Sequence, residues 1–168
     1  MKTTALLVLL SIVCLCLFSV KVDAADSATV NATVTAQNIS VTVSSGTIAY
    51  GILPVNTSKS TITADLNALQ TATNTGNVAE DLNIKGANSA AWTLAATPGA
   101  EQYTHKFCTA SCTTPPTNFT ALTTNYQTLG TDIATSGTKT FDLQITTPTS
   151  TAVFTAQNVD VIVQAVAH

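Results

Sequence analysis

The sequence contains no arginine, and its six lysines are outnumbered by nine carboxylates. A nucleic-acid partner requires clustered cations that release counterions from phosphates, and an anionic membrane surface attracts the same kind of cluster. Beyond residue 24 the cations are isolated, at Lys59, Lys85, Lys106 and Lys139. We therefore expect no nucleic-acid partner, and no membrane partner once an N-terminal signal is removed.

Groups that could carry catalysis or bind a metal ion are also scarce. His105 and His168 are the only histidines. Glu80 and Asp81 are adjacent in an alternating segment, which directs their side chains to opposite faces and makes them a poor acid–base pair. The sequence has no nucleophile elbow, zinc-protease motif or phosphate-binding glycine loop. We expect no enzyme activity and no cofactor, and a secreted hydrolase is the weakest functional alternative.

The N-terminal residues have the pattern of a secretory signal peptide. Lys2 precedes an apolar run at residues 5–20, and small residues at Val22 and Ala24 precede the expected cut between Ala24 and Ala25. We predict a signal at residues 1–24, a single domain at residues 25–168, and a secreted or cell-surface location. The alternative is an uncleaved membrane anchor.

The cysteines divide between these two parts. Cys14 and Cys16 fall in the predicted signal, which leaves Cys108 and Cys112 in the domain. A pair of cysteines in an exported chain predicts a disulfide. Redox or metal sites are alternatives, but three residues separate this pair instead of the usual two, and only His105 is near enough to complete a zinc site.

Threonine, valine, isoleucine and alanine dominate the rest of the chain, and apolar residues alternate with polar ones. Several short alternating runs are separated by turn residues, which predicts about eight to ten strands. We expect an all-β fold, an antiparallel β-sandwich of immunoglobulin-like or jelly-roll connectivity. Asp142 and Asp160 are expected to face outward. The clearest runs are Ile39, Val41 and Val43; Ile48, Tyr50 and Ile52; Leu82 and Ile84; Phe141, Leu143 and Ile145; and Val159, Val161 and Val163.

Two stretches near opposite ends of the predicted domain match each other. Residues 35–43 read TAQNISVTV and residues 155–163 read TAQNVDVIV. Coincidence is one explanation; the other is a pair of strands that are neighbours in one sheet. The N-terminal strand could then be displaced and added to the sheet edge of a second copy, so that truncating residues 25–43 would abolish self-association. The predicted self-association residues are Val30, Val34, Ile39, Val41 and Val43.

Two short motifs resemble those of known surface proteins. Residues 73–77, TNTGN, resemble a turn of bacterial and archaeal surface β-sandwich modules. Trp92-Thr93-Leu94 resembles the first Trp-x-Leu motif of the WxL domain, a family that associates with Gram-positive peptidoglycan. This resemblance makes Trp92 and Leu94 candidate surface-binding residues. The second Trp-x-Leu motif of that family is absent, because the chain has a single tryptophan, and the alternative is that Trp92 is a core aromatic residue.

The chain as a whole, from about Val34 to Ala167, resembles small exported β-sandwich proteins of unknown function from candidate-phylum bacteria. It is similar in outline to TasA-like and archaeal pilin-type fibre subunits. The resemblance implies a structural or adhesive surface protein whose partners are further copies or other cell-surface components. A module that binds cell-wall glycan is the alternative.

Overall fold

The computed structural model describes residues 27–113 and 117–168. The predicted signal peptide and its cut between Ala24 and Ala25 lie outside the described residues. The described ranges contain ten strands and no helix, so none that could cross a bilayer. The strands are β1 (Val41–Val43), β2 (Ser58–Ser60), β3 (Gln70–Asn74), β4 (Glu80–Gly86), β5 (Thr93–Leu94), β6 (Gln102–Cys108), β7 (Thr120–Ala121), β8 (Gln127–Ile133), β9 (Thr138–Thr146) and β10 (Val161–Ala167).

The strands form two sheets that pack together, which confirms the all-β, sandwich-like fold. The larger sheet has the order β1-β3-β9-β6-β5, with β2 also paired to β9 and β7 to β6. The smaller sheet has the order β10-β4-β8. Pairing is antiparallel except for the short β5–β6 pair, which is parallel. Strand β9 is the longest and pairs along both of its edges, so it organises the larger sheet.

The core lies between the sheets, where the apolar side chains of the alternating strands are buried. In β4, Leu82 and Ile84 are fully buried, and in β9 Phe141 and Leu143 meet them from the other sheet. Burial of each such side chain stabilises the fold by about 1.5–3 kcal/mol. The compact unit that contains this core begins at Ala36.

The two matching stretches are not neighbours in one sheet, so that prediction is wrong. Strand β1 is the edge of the larger sheet, and β10 is the edge of the smaller sheet. The two strands lie beside each other at the same open side of the sandwich. Only the last three residues of each matching stretch, residues 41–43 and residues 161–163, belong to a strand.

Several alternating runs do not form strands where the pattern predicts them. Residues 48–52 and residues 30–34 belong to no strand. Asp142 does not face outward as predicted, because β9 is covered on both faces. Its carboxylate is nearly buried and accepts a hydrogen bond from the Thr61 hydroxyl at 2.8 Å.

The predicted disulfide is present, with the Cys108 and Cys112 sulfurs 2.11 Å apart. Cys108 is buried at the end of β6, and Cys112 follows after a tight turn in which Ser111 has positive φ. The bond therefore holds the end of a central strand to the start of the loop that follows it.

We predict that the double variant Cys108→Ser/Cys112→Ser folds and loses about 2 kcal/mol or less of unfolding free energy, because the closed loop is short. Chemical denaturation of the oxidised wild type and of the variant measures the difference. A reductant should destabilise the wild type only. A loss far above this range would show that the bond does more than constrain the unfolded chain.

Candidate functional site

A large apolar groove opens between the two sheets on the side where β1 and β10 form the edges. Its volume is about 1160 Å³. Phe141, Leu143 and Ile145 of β9 form its floor, and residues 47–55 and 151–160 form its two walls. The volume exceeds the roughly 300–1000 Å³ of a pocket for a drug-sized ligand.

Both walls present unpaired backbone. Residues 47–55 and 151–160 make no backbone–backbone hydrogen bond to any other described residue. Some wall carbonyls accept side-chain donors instead: Lys59 Nζ donates to Tyr50 O at 3.1 Å, and Thr147 Oγ1 donates to Pro54 O at 2.7 Å. Most amide groups of the walls therefore remain available to an added strand, as at an open sheet edge.

The walls also expose large apolar side chains to solvent. Ile52 is fully exposed, Phe154 is 84% exposed, and Val55 is 46% exposed. All three line the groove. Exposed apolar side chains around an apolar groove are typical of a surface that binds a partner.

One wall is fixed to the larger sheet by a contact between half-buried Tyr50 and buried His105. The Tyr50 hydroxyl lies 3.0 Å from His105 Nε2, and the two rings meet edge to face. Burial lowers the pKa of His105 to about 4 and raises that of Tyr50 well above its usual value. Both groups are therefore neutral at pH 7, and the buried Nδ1 of His105 has no partner among the described residues.

The other wall is fixed by side chains from the loop that follows β4. Gln157 Oε1 accepts hydrogen bonds from Ser89 Oγ and from the Ala91 amide, each at 3.1 Å. The Trp92 indole N–H donates to Thr151 Oγ1 at 3.0 Å. These contacts hold residues 151–157 in place without backbone–backbone hydrogen bonds, and the Ala152 amide donates to Glu101 Oε1 at 2.6 Å.

The two candidate surface-binding residues have different positions. Trp92 is half-buried at the groove, with its ring 6.4 Å from the Tyr103 ring and its only donor already used. Leu94 packs against the core beside Gly86. The pair is adjacent in sequence, but it does not form an exposed aromatic platform.

The TNTGN turn, residues 73–77, holds the chain that leads into β1. Asn77 Oδ1 accepts the Asn38 amide at 2.8 Å, and Asn77 Nδ2 donates to Ala36 O at 2.8 Å. The backbone amides of Thr75 and Asn77 donate to Ser40 O and Asn38 O. This pairing continues the β1–β3 register, so residues 38–43 run extended along residues 72–77.

Two buried polar side chains support this contact. Glu80 Oε1 accepts the Ser40 amide at 2.7 Å, and Asn74 Oδ1 accepts the Gly76 amide at 2.8 Å. A Cβ on Gly76 would collide with Glu80 Oε1 and with the Asn38 carbonyl, so the turn requires glycine. The attachment of residues 36–40 is therefore specific, and the TNTGN motif is its cause.

The residues before this attachment, residues 27–35, form a segment that we call the arm. The arm has no regular secondary structure, and Val30 and Val34 are 90% and 98% exposed. Its sequence, SATVNATVT, carries no charged side chain. In an extended strand, Val30 and Val34 would share one face with Ala28 and Ala32.

The predicted self-association residues therefore separate into two groups. Val30 and Val34 are in the arm, whereas Val41 and Val43 are in β1 and pack against the core. Ile39 lies between them and is partly exposed. The sequence did not predict the groove. The available clue was the strand-like run Ile48, Tyr50 and Ile52, which has no partner strand among the described residues and lines the groove.

Comparison with protein-family models, with curated proteins and with solved structures finds no match. Across residues 27–113 and 117–168, no group of three or more His, Cys, Asp or Glu side chains is arranged to hold a metal ion.

We predict that acid destabilises the protein through His105. The pKa of His105 is about 4 when folded and about 6.5 when unfolded, so between these values only the unfolded chain takes up the proton. The unfolding free energy should fall by about 3 kcal/mol as the pH drops through this window. Denaturation at a series of pH values measures the slope.

His105→Gln should remove this slope, and the control His168→Gln should keep it. The Asp81 carboxylate raises the pKa of His168, so that its contribution has the opposite sign, present at low pH and lost as the pH rises. A slope that is unchanged in His105→Gln would contradict the assignment.

We predict that Asn77→Ala loosens residues 36–40. The variant loses two side-chain hydrogen bonds and should cost about 1–2 kcal/mol locally. Hydrogen exchange at the Asn38 and Ser40 amides should accelerate. The matched control is Asn125→Ala, since the exposed Asn125 side chain makes no hydrogen bond to other described residues. Equal exchange in the two variants would contradict the role of Asn77.

Proposed function

We propose that this chain is a secreted or cell-surface structural or adhesive protein whose copies associate by strand addition, with the arm as the added strand. The observation that carries the proposal is the exposure of Val30 and Val34 in an uncharged segment without regular secondary structure, which precedes in sequence a compact unit that begins at Ala36. Such a segment is suited to pair with an open sheet edge.

The energetics favour burial of the arm against a partner. Transfer of a valine side chain from water to an apolar surface contributes about 1.5–3 kcal/mol, and each backbone hydrogen bond adds a further net contribution of about 1 kcal/mol. Ordering the arm opposes these gains by about 1–2 kcal/mol per residue. A partner that supplies both an apolar floor and unpaired backbone is therefore needed.

The composition suits association between identical copies. The formal net charge is only −3, and just 9% of the residues are charged, so repulsion between copies is weak. The signal-peptide pattern supports a location outside the cell.

Binding of cell-wall glycan is the second candidate, motivated by the Trp-x-Leu motif. It has less support, because the Trp92 ring is half-buried and Tyr103 is fully buried. A pull-down with purified peptidoglycan tests it directly.

We predict that removal of residues 25–35 abolishes self-association and leaves the fold intact. The truncation should end at Thr35, because residues 38–43 pair along residues 72–77 and their loss would expose the edge of β3. Sedimentation at increasing protein concentration measures association, and electron microscopy detects fibres.

Matched point variants distinguish the two faces of the arm. Val30→Asn/Val34→Asn should weaken association, whereas Thr29→Asn/Thr33→Asn alters the opposite face of the same strand and should have little effect. A full-length chain that stays monomeric at high concentration, or association that survives the truncation, would contradict the proposed function.

A further inference from the structure

We infer that the groove is the acceptor site for the arm of a second copy, which enters between residues 47–55 and residues 151–160 as the missing strand of the sandwich. This inference rests on the proposed self-association and adds to it the surface on which the partner lies.

The chemistry of the groove matches that of the arm. The floor is apolar, formed by Phe141, Leu143 and Ile145, and among the described residues Asp160 is the only carboxylate in the lining. The arm presents alternating alanine and valine on one face and threonine and asparagine on the other. Its apolar face can cover the exposed apolar side chains of the walls, Ile52 and Phe154, while its polar face remains toward solvent.

The backbone of both partners is also complementary. Each wall of the groove has amide and carbonyl groups that lack backbone partners among the described residues. The arm has the same property, since it is not part of a sheet. A strand between the walls would pair with one wall or both.

The length of the chain favours a second copy over the arm of the same chain. Residues 38–43 run along residues 72–77, and Val43 is the first residue of this segment that lines the groove. At 3.3 Å per residue, the eight residues 36–43 cover about 26 Å and the nine residues of the arm cover about 30 Å. An arm that folded back on its own chain would first have to run along residues 36–43. Most of its length would then lie outside the groove, and Val30 and Val34 could not both enter it.

The exposed walls allow a test that leaves the core intact. Ile52→Glu/Phe154→Glu places charges at the groove and should weaken self-association about tenfold or more, because both side chains are at the centre of the expected contact. Leu69→Glu is the control, an exposed leucine outside the groove. Circular dichroism and denaturation verify that each variant is folded.

Cross-linking identifies the occupant of the groove. One population of protein that begins at Ala25, and so lacks Cys14 and Cys16, carries Val34→Cys, and a second, of different size through a C-terminal tag, carries Phe154→Cys. After mixing, a short bis-maleimide should give the mixed dimer. Thr124→Cys, in an exposed loop, replaces Phe154→Cys in the control and should give none. Cys108 and Cys112 do not react because they are bonded to each other.

A chain that carries both Val34→Cys and Phe154→Cys separates the remaining cases. Cross-linking within one monomer at high dilution would show that the arm fills its own groove and would overturn the inference. Association that persists without a cross-link at the groove, and without weakening in Ile52→Glu/Phe154→Glu, would also overturn it, while the proposed self-association would stand. Loss of all association in the full-length wild type would instead contradict the proposed function.

Discussion

Backbone pairing is the constraint on which this sandwich depends. Strand β9 has backbone partners along both edges, because β3 and β2 pair with one edge and β6 pairs with the other. Backbone pairing is incomplete on the side of β1 and β10. Both strands are sheet edges, and the walls next to them lack backbone partners within the described residues. The large groove is the consequence of this unequal pairing.

The walls keep their positions although they are not in a sheet. The Tyr50–His105 contact fixes one wall, and Gln157 and Trp92 fix the other through side-chain hydrogen bonds. Side-chain contacts of this kind hold a wall without using its amide groups. The groove can therefore keep its shape while its backbone remains open to pairing.

The TNTGN turn has a related role at the N-terminal side of the unit. Asn77 and Glu80 hold residues 36–40, so the compact unit has a defined first residue and the arm has a defined root.

The sequence by itself determined the fold class, the disulfide and the strands whose alternation is buried, such as β4, β6 and β9. Burial against an opposite sheet depends mainly on local pattern, so Leu82, Phe107 and Leu143 could be assigned inward from their spacing alone. The same pattern overestimated the strands at residues 30–34 and 48–52 and placed Asp142 outward. Only the tertiary structure decided that the matching stretches lie at the edges of different sheets and that a groove lies beside them. The physical reason is that strand formation at a sheet edge depends on a partner that the local sequence does not specify.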